Sequence, residues 1–192
     1  MKKTLLLTAI MATMVTSAAF AAVVPVTDIQ AGQSKVTAEY SFNRHVTGAG
    51  SSNDGFGVGL ETGLTDRWAV QYGYDKTNLG KHYNDLNTHE ISAVYKLNDN
   101  FNLYGSGTML DAGPNNYGLQ AGVIGHKKLG EKVNGFAKVG FGDDIRNTVQ
   151  VGASYALRNN LDLNAYYGYD KYDINDSKAT NKGIHVGAGY KF

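Results

Sequence analysis

The chain has no cysteine among its 192 residues. That excludes a disulfide framework, a thiolate nucleophile and any cysteine-ligated metal centre. It has only two prolines, Pro25 and Pro114, and one tryptophan, Trp68. Charge of one sign is not in excess either: the formal net charge is +1, and it falls near neutral once Lys2 and Lys3 are set aside. Such a balance argues against nucleic acid as a partner. Beyond residue 21 no apolar run is long enough for a transmembrane helix. No cofactor or metal motif is present, so no cofactor is expected. What the chain does have is 24 glycines, 13 tyrosines and an alternation of apolar with small or polar residues along nearly its whole length.

The first residues have a different character. Met1-Lys2-Lys3 is basic, Thr4–Val15 is mostly apolar but short, and Ala19-Phe20-Ala21 sets small residues three before and one before a cut. This is the layout of a secretory signal peptide, expected over residues 1–21, with one domain over residues 22–192. Residues 22–32 read as a leader before the first strand.

Four short segments share one form, a leucine, three mostly polar residues, then an apolar one. They are Leu64-Thr-Asp-Arg-Trp68, Leu97-Asn-Asp-Asn-Phe101, Leu129-Gly-Glu-Lys-Val133 and Leu157-Arg-Asn-Asn-Leu161. Their polar centres are turn formers. The residues leading in also repeat, as Ala93-Val-Tyr-Lys-Leu97, Ala153-Ser-Tyr-Ala-Leu157 and Ala188-Gly-Tyr-Lys-Phe192. The chain therefore reads as five units, each a pair of strands, and the last unit ends where its turn would begin. Period-2 patterning places ten strands over 33–45, 55–64, 68–76, 88–97, 101–110, 117–129, 135–142, 148–157, 161–170 and 182–192. The intervening loops, at 46–54, 77–87, 111–116, 143–147 and 171–181, vary in length. Both prolines fall outside the strands, as a hydrogen-bonded ladder requires.

A soluble sandwich would bury the apolar face. Here that face carries aromatics near both strand ends. Trp68, Tyr95, Phe101, Tyr155, Tyr190 and Phe192 lie at the turn end; Phe42, Phe56, Tyr74, Tyr117, Phe141 and Tyr169 lie at the loop end. Two aromatic girdles around a Val/Leu/Ala band are the pattern of a membrane barrel. Strands of about 9–11 residues suit a tilted crossing, and a sheet in lipid must close. The expectation is an all-β, closed antiparallel transmembrane β-barrel of ten strands, with eight as the alternative.

The signal peptide, the Leu-Thr-Asp-Arg-Trp type of turn and the terminal Ala-Gly-Tyr-Lys-Phe together resemble small bacterial outer-membrane β-barrel proteins of the OmpA-type, OmpX/Ail and opacity-protein families. The resemblance implies an outer-membrane location, contact with outer-membrane lipids, and reading of Tyr190 and Phe192 by the barrel-assembly machinery. Eight strands are common in that group, and the ten counted here depart from it.

If the apolar face meets lipid, the other face lines a lumen. Its charges by parity are Lys35, Lys96, Lys128, Lys138 and Lys191 against Glu39, Glu61, Asp75, Glu90, Asp162 and Asp170. They nearly cancel, which fits either a paired plug or a narrow, weakly selective pore for small solutes; lining glycines such as Gly122, Gly152, Gly187 and Gly189 leave room for the latter. A surface adhesin acting on a host ligand through its loops is the alternative role. An enzyme is not expected. Asp143-Asp144 has no Asp-x-His partner, and Ile91 stands two beyond His89, where a lipid-modifying site wants serine. His45 and His185 take inward parity on strands that closure makes neighbours, which suits either a two-histidine metal or pH site or plain hydrogen-bonded lumen residues.

Overall fold

A computed structural model describes residues 24–47, 50–80, 84–111, 115–143, 147–174 and 177–192. Residues 1–21, Gly48-Ala49, Pro114, Asp144 and Asp176, all of which enter the sequence reading, lie outside the described residues. Ten strands follow one another: β1 Ser34–Val46, β2 Gly50–Gly63, β3 Trp68–Thr77, β4 Leu86–Lys96, β5 Phe101–Asp111, β6 Asn115–Lys128, β7 Val133–Gly142, β8 Asn147–Arg158, β9 Leu161–Ile174 and β10 Ser177–Lys191. Each pairs antiparallel with its neighbours in sequence, and β10 pairs with β1, so the sheet closes into a barrel. The seam is finished at the chain's end: Ser34 N donates to Phe192 O at 3.0 Å and Phe192 N to Ser34 O at 2.9 Å.

The turns show why the leucine repeat exists. Leu64 N, Leu97 N and Leu129 N donate to Trp68 O, Phe101 O and Val133 O at 2.8, 3.0 and 2.9 Å. Inside the first two, Thr65 Oγ1 and Asn98 Oδ1 accept the free amides two and three residues on. The fourth segment differs. A bulge between Ala156 and Arg158 lets Arg158 pair with Leu161, leaving a two-residue turn at Asn159-Asn160.

Strands run further at the loop end than their alternation suggests. β9 and β10 pair without interruption to Ile174 and Ser177, and β2 begins at Gly50. The loops expected over 171–181 and 46–54 are mostly hairpin. Polar residues pair as well as apolar ones there, and with no lipid on one side nothing imposes a period of two.

One interruption changes what faces where. Phe42 pairs with Ile184, but His45 pairs with Lys182, so Asn43 and Arg44 together oppose Gly183. This is a β-bulge, and Asn43 holds its extra turn with φ of 53°. Asparagine is among the few non-glycine residues that adopt this left-handed region readily. The slip reverses the alternation beyond it. Arg44 is buried inside, and Asn43 and His45 are exposed, not inward as the uninterrupted period would have them.

Candidate functional site: the lumen

The inward face is a stack of polar layers between two apolar ones. At the turn end the leader enters the barrel. Gly32, with φ of 74°, reverses the chain ahead of β1. Its amide bonds Gly63 O at 2.8 Å, and Gly63 N bonds Gln33 O at 2.9 Å. A side chain at Gly63 would strike the Gln30 carbonyl. Val26 and Ile29 pack against Ala69, Val94, Tyr104 and Ile124, while Val24 packs against Phe136 and Tyr166. The leader's own carbonyls are taken by the wall: Gln71 Nε2 donates to Val24 O and Asn102 Nδ2 to Val26 O, both at 2.7 Å. Residues 24–30 thus form an inner plug, a role that sequence reading assigns to no segment. Beside it Lys35 pairs with Asp162 at 3.0 Å. Glu61 and Lys191 line, with Pro25 and Asp28, a cavity of about 20 Å³, room for one water.

The middle layer holds the most deeply buried pair. Lys138 Nζ lies 2.8 Å from Glu90 Oε1, with side chains 2% and 5% exposed. Ser92 Oγ also donates to that carboxylate at 2.9 Å, and the Lys138 ammonium sits 4.5 Å from the centre of the Tyr104 ring. Tyr104 in turn donates to Gln120 Oε1 at 2.9 Å. Across the lumen Tyr166 donates to Glu39 Oε2 at 2.8 Å and stacks on His185 with ring centres 4.5 Å apart. His185 Nδ1 is 3.8 Å from the same Glu39 oxygen.

At the loop end Arg44 Nη1 donates to Asp75 Oδ1 at 2.7 Å and to Ser41 Oγ at 3.1 Å, and Nε donates to Asn181 Oδ1 at 3.2 Å. Asn181 passes the chain of bonds on to Thr77, and Thr148 donates to Asp170. Above this layer Leu86, Leu110 and Tyr172 close together, with Leu79 packed against them. They form an outer apolar stopper.

The structure therefore brings Lys35, Glu39, Glu61, Asp75, Glu90, Lys138, Asp162, Asp170 and Lys191 to the lumen. Two of the expected lining charges differ. Lys128 is exposed at the end of β6, beyond the wall's inner face, because its strand projects past the lumen before turning. Lys96 is half-buried at the rim and pairs with Asp99 of the turn at 2.9 Å; that hydrogen bond and charge hold the Asp99 carboxyl below its usual range. Arg44, absent from the parity count, joins through the bulge. The one signal for it was Asn43, a residue that tolerates the left-handed turn. His45 and His185 do not meet, and among the described residues no cluster of three or more His, Asp or Glu could hold a metal ion.

The inward glycines are closely overlaid by their neighbours. A Cβ at Gly189 would collide with Lys35 and Asp162, one at Gly187 with Glu39, one at Gly122 with Tyr104, and one at Gly152 with Tyr166. Their space is already filled by those longer side chains.

The outward face carries Tyr40, Val70, Tyr72, Ile91, Leu103, Val123, Val139, Val151, Leu163 and Val186, all exposed. Trp68, Phe101, Tyr155, Tyr190 and Phe192 are exposed at the turn end, with Trp68 packed on half-buried Tyr95 at 4.9 Å and Tyr190 stacked near Phe192 at 6.4 Å. Tyr117 and Phe141 are exposed at the loop end, where Phe42, Phe56, Tyr74 and Tyr169 are half-buried.

A closed sheet with a polar interior and an apolar, aromatic-edged exterior defines a transmembrane β-barrel. The chain matches the outer membrane protein beta-barrel domain family over residues 7–192 and belongs to it. Its location is accordingly the bacterial outer membrane. Among solved structures it is similar to the N-terminal β-barrel domain of Pseudomonas aeruginosa OprF, with 14% identity, 85% of this chain and 100% of that one covered, and a TM-score of 0.42. It is similar to the attachment invasion locus protein Ail of Yersinia pestis (18% identity, 85% and 100% covered, TM-score 0.42). It is similar also to Neisserial surface protein A (19% identity, 84% and 99% covered, TM-score 0.47). None of the curated proteins matches it.

Proposed function

We propose that the protein is a structural barrel of the outer membrane whose lumen is closed at rest, and that it is not a standing pore. The observation that carries this reading is the inner plug: Val24, Val26 and Ile29 are buried in the lumen, and two of their segment's carbonyls are bonded to the wall. Burying three such side chains contributes roughly 1.5–3 kcal/mol each, so the segment holds its place without help from a ligand. The paired layers above it and the Leu86–Leu110–Tyr172 stopper add two further barriers. In this reading residues 1–21 direct export and are removed, the turns face the periplasm, the aromatic girdles sit at the two lipid interfaces, and Tyr190 and Phe192 serve assembly by the barrel-assembly machinery. Planar-bilayer recording on refolded protein tests it. The expected trace is flat, and stable unitary currents from the unaltered chain would overturn the reading. A role in binding a host surface ligand would instead run through the loop-end hairpins, and exchange of the β9–β10 hairpin tip for a short turn separates the two: a binding role is lost, a structural one kept.

A further inference from the structure

Glycines on the outer wall differ from those inside. On the outward face of β5, a Cβ at Gly107 would meet nothing within 4 Å, and one at Gly105 only Gln120 O at 4.0 Å. Neither has a left-handed φ. Neither backbone conformation nor packing within the protein accounts for glycine there. Gly105 is flanked by Ala93 and Ala121, and Gly107 by Ile91 and Leu119, so together they leave a notch in the outer wall. Over Gly107 the notch widens into a hollow of about 580 Å³, bounded by Tyr72, His89 and Ile91 on one side and by Tyr117, Leu119 and Asp143 on the other; the Asp143 carboxylate accepts from Leu119 N at 3.0 Å. Ile91, Tyr117 and Leu119 stand out from the wall, 61%, 68% and 70% exposed. The volume is in the range of small-molecule sites.

One edge of the hollow is polar. Tyr72 Oη lies 2.9 Å from His89 Nδ1, and the Tyr74 ring packs on the imidazole with centres 4.7 Å apart. In the tautomer in which Tyr72 donates to Nδ1, Nε2 carries the proton, and no described residue accepts from it. A donor left unmatched on a lipid-facing surface costs free energy. His89 lies toward the loop end of β4, level with Tyr74, where an aromatic girdle would place it at headgroup depth.

We propose that this hollow seats one membrane lipid, with an acyl chain over Gly107 between Ile91 and Leu119 and a phosphate or ester oxygen of the same molecule accepting from His89 Nε2. A second copy of the barrel fits less well, because the side chains of a sheet face are too short to lie along the hollow over Gly107 as an acyl chain does. The proposal needs the outward face to meet lipid but is independent of whether the lumen conducts.

The test is native mass spectrometry of the full barrel released from nanodiscs of phosphatidylglycerol and phosphatidylethanolamine. The unaltered protein should retain one lipid. Gly107→Leu, which fills the floor, should lose it. His89→Phe, which keeps the packing and removes the donor, should lower retention about tenfold, the worth of one hydrogen bond. Resistance of the folded band to detergent on unheated gels shows that each variant is folded, and His89→Gln, which restores a donor, should recover retention. Equal retention by all folded variants would overturn the proposal, as would a crosslinked dimer through Gly107 in place of the lipid.

Discussion

At the scale of single residues, the lumen is specified by pairing. Lys138 and Glu90 are too deeply buried to be exposed surface ions, and each is worth keeping only because the other is there. Replacing Lys138 with Met should leave the Glu90 carboxylate without its counter-ion and destabilise the barrel by about 3–5 kcal/mol. The double change Lys138→Met with Glu90→Leu should recover much of that loss. Urea unfolding in lipid vesicles checks both; a single variant as stable as the parent would show that the pair contributes little. Residue identity was legible in the sequence wherever the period of two held, as at Glu39, Glu90 and Lys138. It failed at Arg44 and His45. One residue inserted into a strand reverses every later side chain, and the alternation after Asn43 reads equally well in either sense because Arg44, His45, Val46 and Thr47 carry no clean contrast.

At the scale of elements, the turns and strands were the most legible parts, since each turn is a local device: a leucine amide closing on the carbonyl four residues ahead, with Thr65 or Asn98 inside. The inner plug was not. Val24, Val26 and Ile29 could pass for a strand, and nothing local shows that a chain will fold back into a lumen built by residues far along the sequence. Val26→Asp should place a carboxylate in the apolar cluster around Tyr104 and cost roughly 2–5 kcal/mol, while the ten strands still form. A lowered urea midpoint with unchanged strand content by circular dichroism is the expected result. The last strand has a different sensitivity. Deleting Phe192 removes both seam hydrogen bonds with Ser34 and a large aromatic group, which should lower stability by a few kcal/mol, on the order of one buried apolar side chain. Accumulation in the outer membrane should fall further than that. Normal outer-membrane levels with an unchanged assembly rate would mark Phe192 as an ordinary strand residue.

At the scale of the whole molecule, the repeated leucine turns all lie at one end of the barrel, and the proposed topology puts that end in the periplasm. Cysteines at Asn78 or Asn115, exposed at the loop end, should react with an impermeant maleimide on intact cells. Cysteines at Asp66, Asp99 or Asn159, exposed in the turns, should react only after the envelope is opened. Labelling of both sets on intact cells would contradict the topology. Closure itself was legible from an even strand count and from an apolar face that has no other place to go. The filling of the interior was not, because near-cancellation of charge is common to a plug and to a narrow pore, and only three-dimensional placement sets Lys35, Glu39 and Tyr104 against Gly189, Gly187 and Gly122.

The seam between β1 and β10 also orders events in time. Ser34 and Phe192 meet from opposite ends of the sequence, so their contact is the least local in the fold and carries the slowest search. Residues 24–33 run directly into β1, one of the two lips of that seam, yet Val24, Val26 and Ile29 lie inside the ring it completes. The turn-end mouth stays open to them after the ring is shut, and the turn at Gly32, bonded to Gly63, tethers them beside it. The plug can therefore be drawn in after β1 has met β10, as a last step taken with the barrel already whole.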